Sequence, residues 1–158
     1  ASQPLRVRRG GEPFEQLRLT AESMRAAGRA PSILQINMGP SRGYRLRADW
    51  TSGFFQAGGL SVLNETDFPS IEAALESLRS SGARAAILTS SDATYGESAV
   101  EWATAIKAAC PQVRLYLAGA PGEQEAAWRA AGIDDFVHVR VNAYRFNRDL
   151  LVYLGAPL

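Results

Sequence analysis

Short, nearly continuous apolar runs alternate along this chain with longer segments whose apolar residues recur every three to four positions. A strand that is apolar at consecutive residues is buried on both faces. A segment of helical period buries one. Their alternation fits a parallel sheet with helices laid on each side. The strand candidates are Ser32 to Met38, Leu60 to Asn64, Arg84 to Ser90, Val113 to Ala118 and Asp135 to Val139. Between them, Leu46, Trp50, Gly53, Phe54 and Ala57 are spaced to share one helix face; Ile71, Ala74, Leu75 and Leu78 share a second; Ala99, Trp102, Ala103, Ile106 and Cys110 share a third. Thr94 and Glu97 have the spacing of a capping box at the start of that third helix. A short helix follows Pro121 and Gly122, and a last one carries Ala143, Phe146, Leu150 and Leu154. Right-handed crossovers in strict alternation predict an α/β fold, a flavodoxin-like five-stranded parallel sheet of order 2-1-3-4-5 flanked by helices.

Ahead of the first strand, Glu12 to Ala27 reads as an additional helix, with Pro13 at its first position and a sparse stripe of Leu17 and Met24. The expected division is an N-terminal arm and linker helix over residues 1–30 and the flavodoxin-like domain over residues 31–158. On this reading the arm covers little of the domain's own core and packs on something outside it. The absence of an initiator Met points to a piece of a longer chain. With 158 residues, 46% of them apolar, the chain has enough material for one sizeable core. No run approaches the roughly 20 apolar residues of a membrane span, and no secretory leader is apparent, so a cytoplasmic location with no membrane partner is expected. A net charge of +1 gives no global reason to expect nucleic acid. One cysteine, Cys110, and one histidine, His138, make zinc sites and internal Cys-His or Ser-His catalysis poor expectations.

In an open parallel sheet, ligands bind beyond the carboxyl ends of the strands. Three loops lie there: Asn37 to Gly43, Ser90 to Thr94 and Gly119 to Gly122. The first reads either as a Gly-Pro turn into a Ser-capped helix or as a phosphate cradle, but it has neither P-loop nor G-x-G-x-x-G spacing. Asn37 and Met38 supply none of the carboxylates of a phosphorylatable receiver. Ser90, Ser91, Asp92 and Thr94 are cap residues or a small polar site. His138 reads as a packed or edge histidine and Cys110 as a small apolar residue. Arg42, Arg45 and Arg47 read as one basic patch, either solvated surface or a contact for phosphate or a partner's carboxylates.

The runs Arg6 to Arg18, Gly53 to Gly59, Ser90 to Tyr95 and Leu117 to Glu123, with Ala126 to Asp134, resemble the C-terminal region of methylmalonyl-CoA mutase, and its small subunit more than its catalytic one. The resemblance implies a cobalamin-binding type of domain, with the arm as the connection leaving a substrate-binding barrel. Members that bind cobalamin carry D-x-H-x-x-G after strand 1, the histidine ligating cobalt and the aspartate polarising it. Here those positions read Met38, Gly39, Pro40, Ser41, Arg42 and Gly43. Proline has no lone pair for cobalt, and Met38 cannot polarise an imidazole. The family's S-x-L falls on Ser90, Ser91 and Asp92, a charge where an apolar side chain lines a buried tail, and its paired glycines fall on Ala118 and Gly119.

The resemblance thus implies a degenerate, non-catalytic domain of the small subunit. No catalytic, metal-ligating or cofactor-binding residue is expected in it. Adenosylcobalamin, and the isomerisation of methylmalonyl-CoA and succinyl-CoA, belong to a large catalytic subunit paired with it as a heterodimer, and Arg42, Arg45 and Arg47 are the candidates for that contact. Two alternatives remain open: a domain that holds cobalamin without a histidine ligand, or another phosphate-bearing molecule, and a stand-alone regulatory or interaction module.

Overall fold

Consecutive residues of the first strand divide between two cores. Leu34 and Ile36 enter one layer and Ile33 the other, as the two-residue period of a strand requires. The computed structural model describes residues 12–64 and 66–158. The arm's Arg6 to Gly11, including Arg6, Arg8 and Arg9, lies outside the described residues. The elements run α1 (Glu12–Ala26), β1 (Ser32–Asn37), α2 (Ser41–Ala57), β2 (Ser61–Leu63), α3 (Ile71–Ser81), β3 (Ala85–Thr89), α4 (Asp92–Ala109), β4 (Arg114–Ala118), α5 (Glu125–Ala131), β5 (Asp135–Val137) and α6 (Ala143–Tyr153), with a 3-10 turn at Gly122–Gln124 before α5. All strand pairs are parallel, in the order β2-β1-β3-β4-β5, so the flavodoxin-like sheet is as expected.

One core packs α3, α4 and α5 on the sheet through Leu78, Ala99, Ile106 and Trp128 against Leu34, Leu88 and Leu117. The other packs α1, α2 and α6 through Leu17, Met24, Phe55 and Leu151 against Ile33, Ile87 and Tyr116. Among the described residues no helix is long and apolar enough to cross a membrane.

Three expectations change here. Helix α1 does cover the domain's own core: Leu17, Ala21 and Met24 are each at most 2% exposed. Ala21 is small enough to bring α1 onto Gly59, where an added Cβ would stand 2.7 Å from the Ala21 methyl. Arg25 then donates to the Gly59 carbonyl and the Ser61 hydroxyl, and the Phe14 ring meets Tyr144 of α6 edge-on. The stripe reads as sparse because alanine, which closes the approach, carries little hydropathy.

Helix α2 is rotated from the face its largest residues suggest. Tyr44, Ala48, Thr51, Phe54 and Phe55 are buried, whereas Leu46 is 88% and Trp50 40% exposed. Its inner face is allowed polar residues because they are bonded: Thr51 donates to the Arg47 carbonyl at 2.7 Å. The caps shift as well. Pro40 occupies the N-cap of α2 with no side-chain cap, so Ser41 is its first helical residue rather than its cap. Helix α4 starts earlier than the Thr94 and Glu97 spacing implies, and Ser91 caps it by accepting from the Thr94 amide at 3.2 Å.

Candidate functional site

A cavity of about 590 Å3 opens at the carboxyl ends of β3, β4 and β5, walled on one side by α2. It gathers residues from all three of the loops singled out in the sequence: Gly43 on α2, Asp92 at the start of α4, and Ala118 and Gly119 at the end of β4. The sequence placed these in separate loops, and right-handed crossovers bring them to one end of the sheet. Met38 and Ser90 do not line it. The Met38 side chain is in the core at 1% exposure, and Ser90, also 1% exposed, donates its hydroxyl to the Met38 carbonyl. That bond ties the end of β3 to the end of β1 and leaves Ser90 turned away from the cavity. Pro40 stands at the first turn of α2, where its missing N–H costs no helical hydrogen bond.

Arg47 reaches across from α2 to the loops opposite. Its guanidinium donates to the Ser90 carbonyl at 2.6 Å, pairs with the Asp92 carboxylate at 3.1 Å and lies 5.4 Å from the centroid of the Tyr95 ring. An added methyl on Gly119 would meet this guanidinium at 3.7 Å, so Arg47 spans the gap between the ends of β3 and β4. Beneath it Tyr95 is 1% exposed, its ring edge against Trp128. The Tyr95 hydroxyl accepts from the Ser90 amide at 2.8 Å and faces the carbonyls of Ala118 at 2.8 Å and Leu88 at 3.1 Å. Burial holds this phenol well above its usual titration range, with the nearby Arg47 charge opposing in part.

The three candidate arginines do not form one patch. Arg42 and Arg47 line the crevice, whereas Arg45 lines a separate hollow of about 470 Å3 on the opposite flank of α2. A helix turns 100° per residue, so positions 45 and 47 lie on opposing sides of α2. In that second hollow Gln35, 2% exposed, donates to the Ala48 carbonyl and accepts from the Ser52 hydroxyl, both at 2.9 Å. Tyr44 lies nearby, its phenol raised by burial and then by the Asp67 carboxylate that its hydroxyl meets at 3.3 Å.

His138 follows β5 and lines the crevice, half-buried, its Nδ1 accepting from the Arg140 amide at 3.3 Å. Cys110, half-buried, caps the C-terminus of α4 and packs on the core. Among the described residues no cluster of three or more His, Cys, Asp or Glu is arranged for a metal ion. Sequence reasoning passed over Tyr95 as an anchor. The available signal was an aromatic one turn into a helix that follows an apolar strand, where its hydroxyl reaches back over the strand ends.

No family model matches the chain. It is 34% identical over 139 residues to a methylmalonyl-CoA mutase small subunit from Streptomyces virginiae, and 30% identical over 140 residues to one from Porphyromonas gingivalis. These alignments take in 87% and 89% of this chain, and it spans about a fifth of the relatives' length, 21% and 22%. A cobalamin-binding protein from Desulfitobacterium hafniense superposes with a TM-score of 0.62 at 18% identity, covering 90% of this chain and 68% of the other. A CheY-like protein from Pseudomonas aeruginosa gives 0.60 at 16% identity, covering 79% and 94%. At such identities the structures establish the fold alone. The sequence relatives bear out the resemblance to methylmalonyl-CoA mutase small subunits over most of this chain.

Proposed function

We propose that this chain, similar along most of its length to methylmalonyl-CoA mutase small subunits, is a cobalamin-type domain that has given up the cofactor and serves the mutase as a structural, non-catalytic part. Isomerisation of methylmalonyl-CoA and succinyl-CoA, and the adenosylcobalamin it needs, would then reside in a catalytic partner subunit. The cofactor supplies homolytic radical chemistry when bound there, and no step of it is assigned to this chain.

The observation that carries the reading is Arg47, tied across the crevice to the Ser90 carbonyl and the Asp92 carboxylate. The residues present do not fit a cobalamin held through a histidine. Pro40 has no donor at the ligand position, and His138 stands on the far strand end with Nδ1 bonded to backbone. Ser90, which would meet a nucleotide base, is committed to the Met38 carbonyl. Arg47, fixed by Ser90 and Asp92, crosses in front of Gly119, where a buried tail would run. Clearing that path would break a charge-assisted hydrogen bond, worth about 1.5 to 3 kcal/mol.

Titration of the protein with hydroxocobalamin and adenosylcobalamin tests this. Unchanged cobalamin spectra at micromolar protein, and an unchanged melting temperature, are expected. A histidine-ligated cobalt spectrum, or a rise in melting temperature that saturates with cobalamin, would return the domain to the ligand-holding class.

A further inference from the structure

Leu46, Trp50 and Val139 are three of the seven large apolar side chains exposed among the described residues, and all three border the one crevice. Arg42, Leu46 and Trp50 recur at every fourth position and form a continuous stripe along α2. Val139, 81% exposed, faces them from beyond β5, with Arg140 next to it. The result is a groove with two apolar lips, crossed by the half-buried Arg47, whose partner Asp92 is exposed at the edge.

The shape selects the kind of occupant. Leu46 is 88% exposed because it stands on the rim. A small molecule seated on the floor would leave both rims in water, whereas a polypeptide segment capping the groove would remove Leu46, Trp50 and Val139 together. Contiguous exposed apolar surface with Trp and Arg is the composition of interface centres. Charge selects further. Arg47 is neutralised by the exposed Asp92, while Arg42 on one lip and Arg140, next to Val139 in the chain, make no ion pair among the described residues. The groove therefore presents uncompensated positive charge around apolar contacts, complementary to carboxylates flanking Leu- or Phe-type side chains.

We infer that this groove is a docking face for an acidic, apolar segment of the catalytic partner subunit, which seats on the two lips and leaves Arg47 in place. The inference rests on the mutase reading above and names the surface through which the domain would serve it. It retains Arg42 from the arginines singled out in the sequence, adds Arg140, and sets aside Arg45, which lines the other hollow.

The test is co-expression of the full-length small-subunit chain with the catalytic subunit, read as the dissociation constant by sedimentation at low and high salt. Leu46→Asp with Val139→Asp should weaken assembly by about tenfold or more. Arg42→Glu with Arg140→Glu should weaken it by severalfold at low salt and less at high salt, since exposed charges are screened. Val100→Asp, at an exposed site on α4, should bind as wild type. All four positions are open to water, and circular dichroism verifies that each variant is folded. If both lip variants assemble like wild type, the docking face is refuted while the mutase reading stands. If the wild-type chain does not bind the catalytic subunit at all, both fall. If it instead forms a concentration-dependent homodimer that Leu46→Asp with Val139→Asp abolishes, the occupant is a second copy and the partner assignment is overturned.

Discussion

Tyr95 shows how much one hydroxyl can fix. Its hydroxyl meets backbone at the ends of both β3 and β4, through Ser90, Leu88 and Ala118. Tyr95→Phe keeps the ring against Trp128 but leaves the Ser90 amide buried without that acceptor, and should cost about 1 to 3 kcal/mol in urea unfolding. The same burial gives a pH signature. The folded phenol stays protonated above the usual value near 10, whereas the unfolded chain releases its proton there, so this group's contribution to stability is constant below that pH and falls as pH rises above it. Tyr116 is raised by burial in the same direction and adds to the slope. Comparing urea midpoints at neutral and strongly alkaline pH should show a shallower loss in Tyr95→Phe than in wild type. An equal loss would mean that this phenol is not protected by the fold. The sequence exposed Pro40, Asp92 and Ala118 as departures from a motif, because each replaces a residue type of defined chemistry. It did not reveal that Ser90 is turned inward or that Arg47 bridges the loops, since both depend on hydrogen bonds across 43 to 52 residues of chain.

Among the elements, the strands were the most legible. Consecutive Ile, Leu and Val bounded by turn residues can bury both faces only within a covered sheet, and the observed boundaries differ from the expected ones by one or two residues. The helices were legible as helices but less so in their orientation. On α2 the bulky Leu46 and Trp50 point outward while Ala48 and Thr51 point inward, because close packing on β1 favours small residues and a satisfied hydroxyl. On α1 the same principle hid the docking face, for Ala21 against Gly59 is a contact of two residues with almost no side chain. Removing residues 1–28 should therefore abolish cooperative unfolding or cost several kcal/mol, and Leu17→Ala alone should cost about 2 to 5 kcal/mol. Gly59→Ala should approach that loss, since it combines a 2.7 Å clash with a φ of +91° that a side chain disfavours. Thermal or urea melts decide it. Near-wild-type stability in all three would mean that α1 is the separable arm that its composition suggested.

Across the whole molecule, the sheet sets a gradient of protection. Strands β1, β3 and β4 are flanked on both sides, whereas β2 is a three-residue edge with every residue half-buried and β5 is the other edge. Native-state amide exchange should proceed from the edges inward, with β2 opening well below the global unfolding energy and β1 and β3 exchanging only through it. Uniform exchange across the sheet would contradict this. Tyr95 braces the ends of β3 and β4 from within the chain. Proteins that depend on a delivered ligand to brace their loops gain stability by mass action as it arrives, and so their abundance tracks its supply. Here the brace is encoded in the chain and is in place once α4 has packed on β3 and β4. If the domain takes no cofactor, as proposed, scarcity of a small molecule should leave its folding yield and its turnover by proteases unaffected.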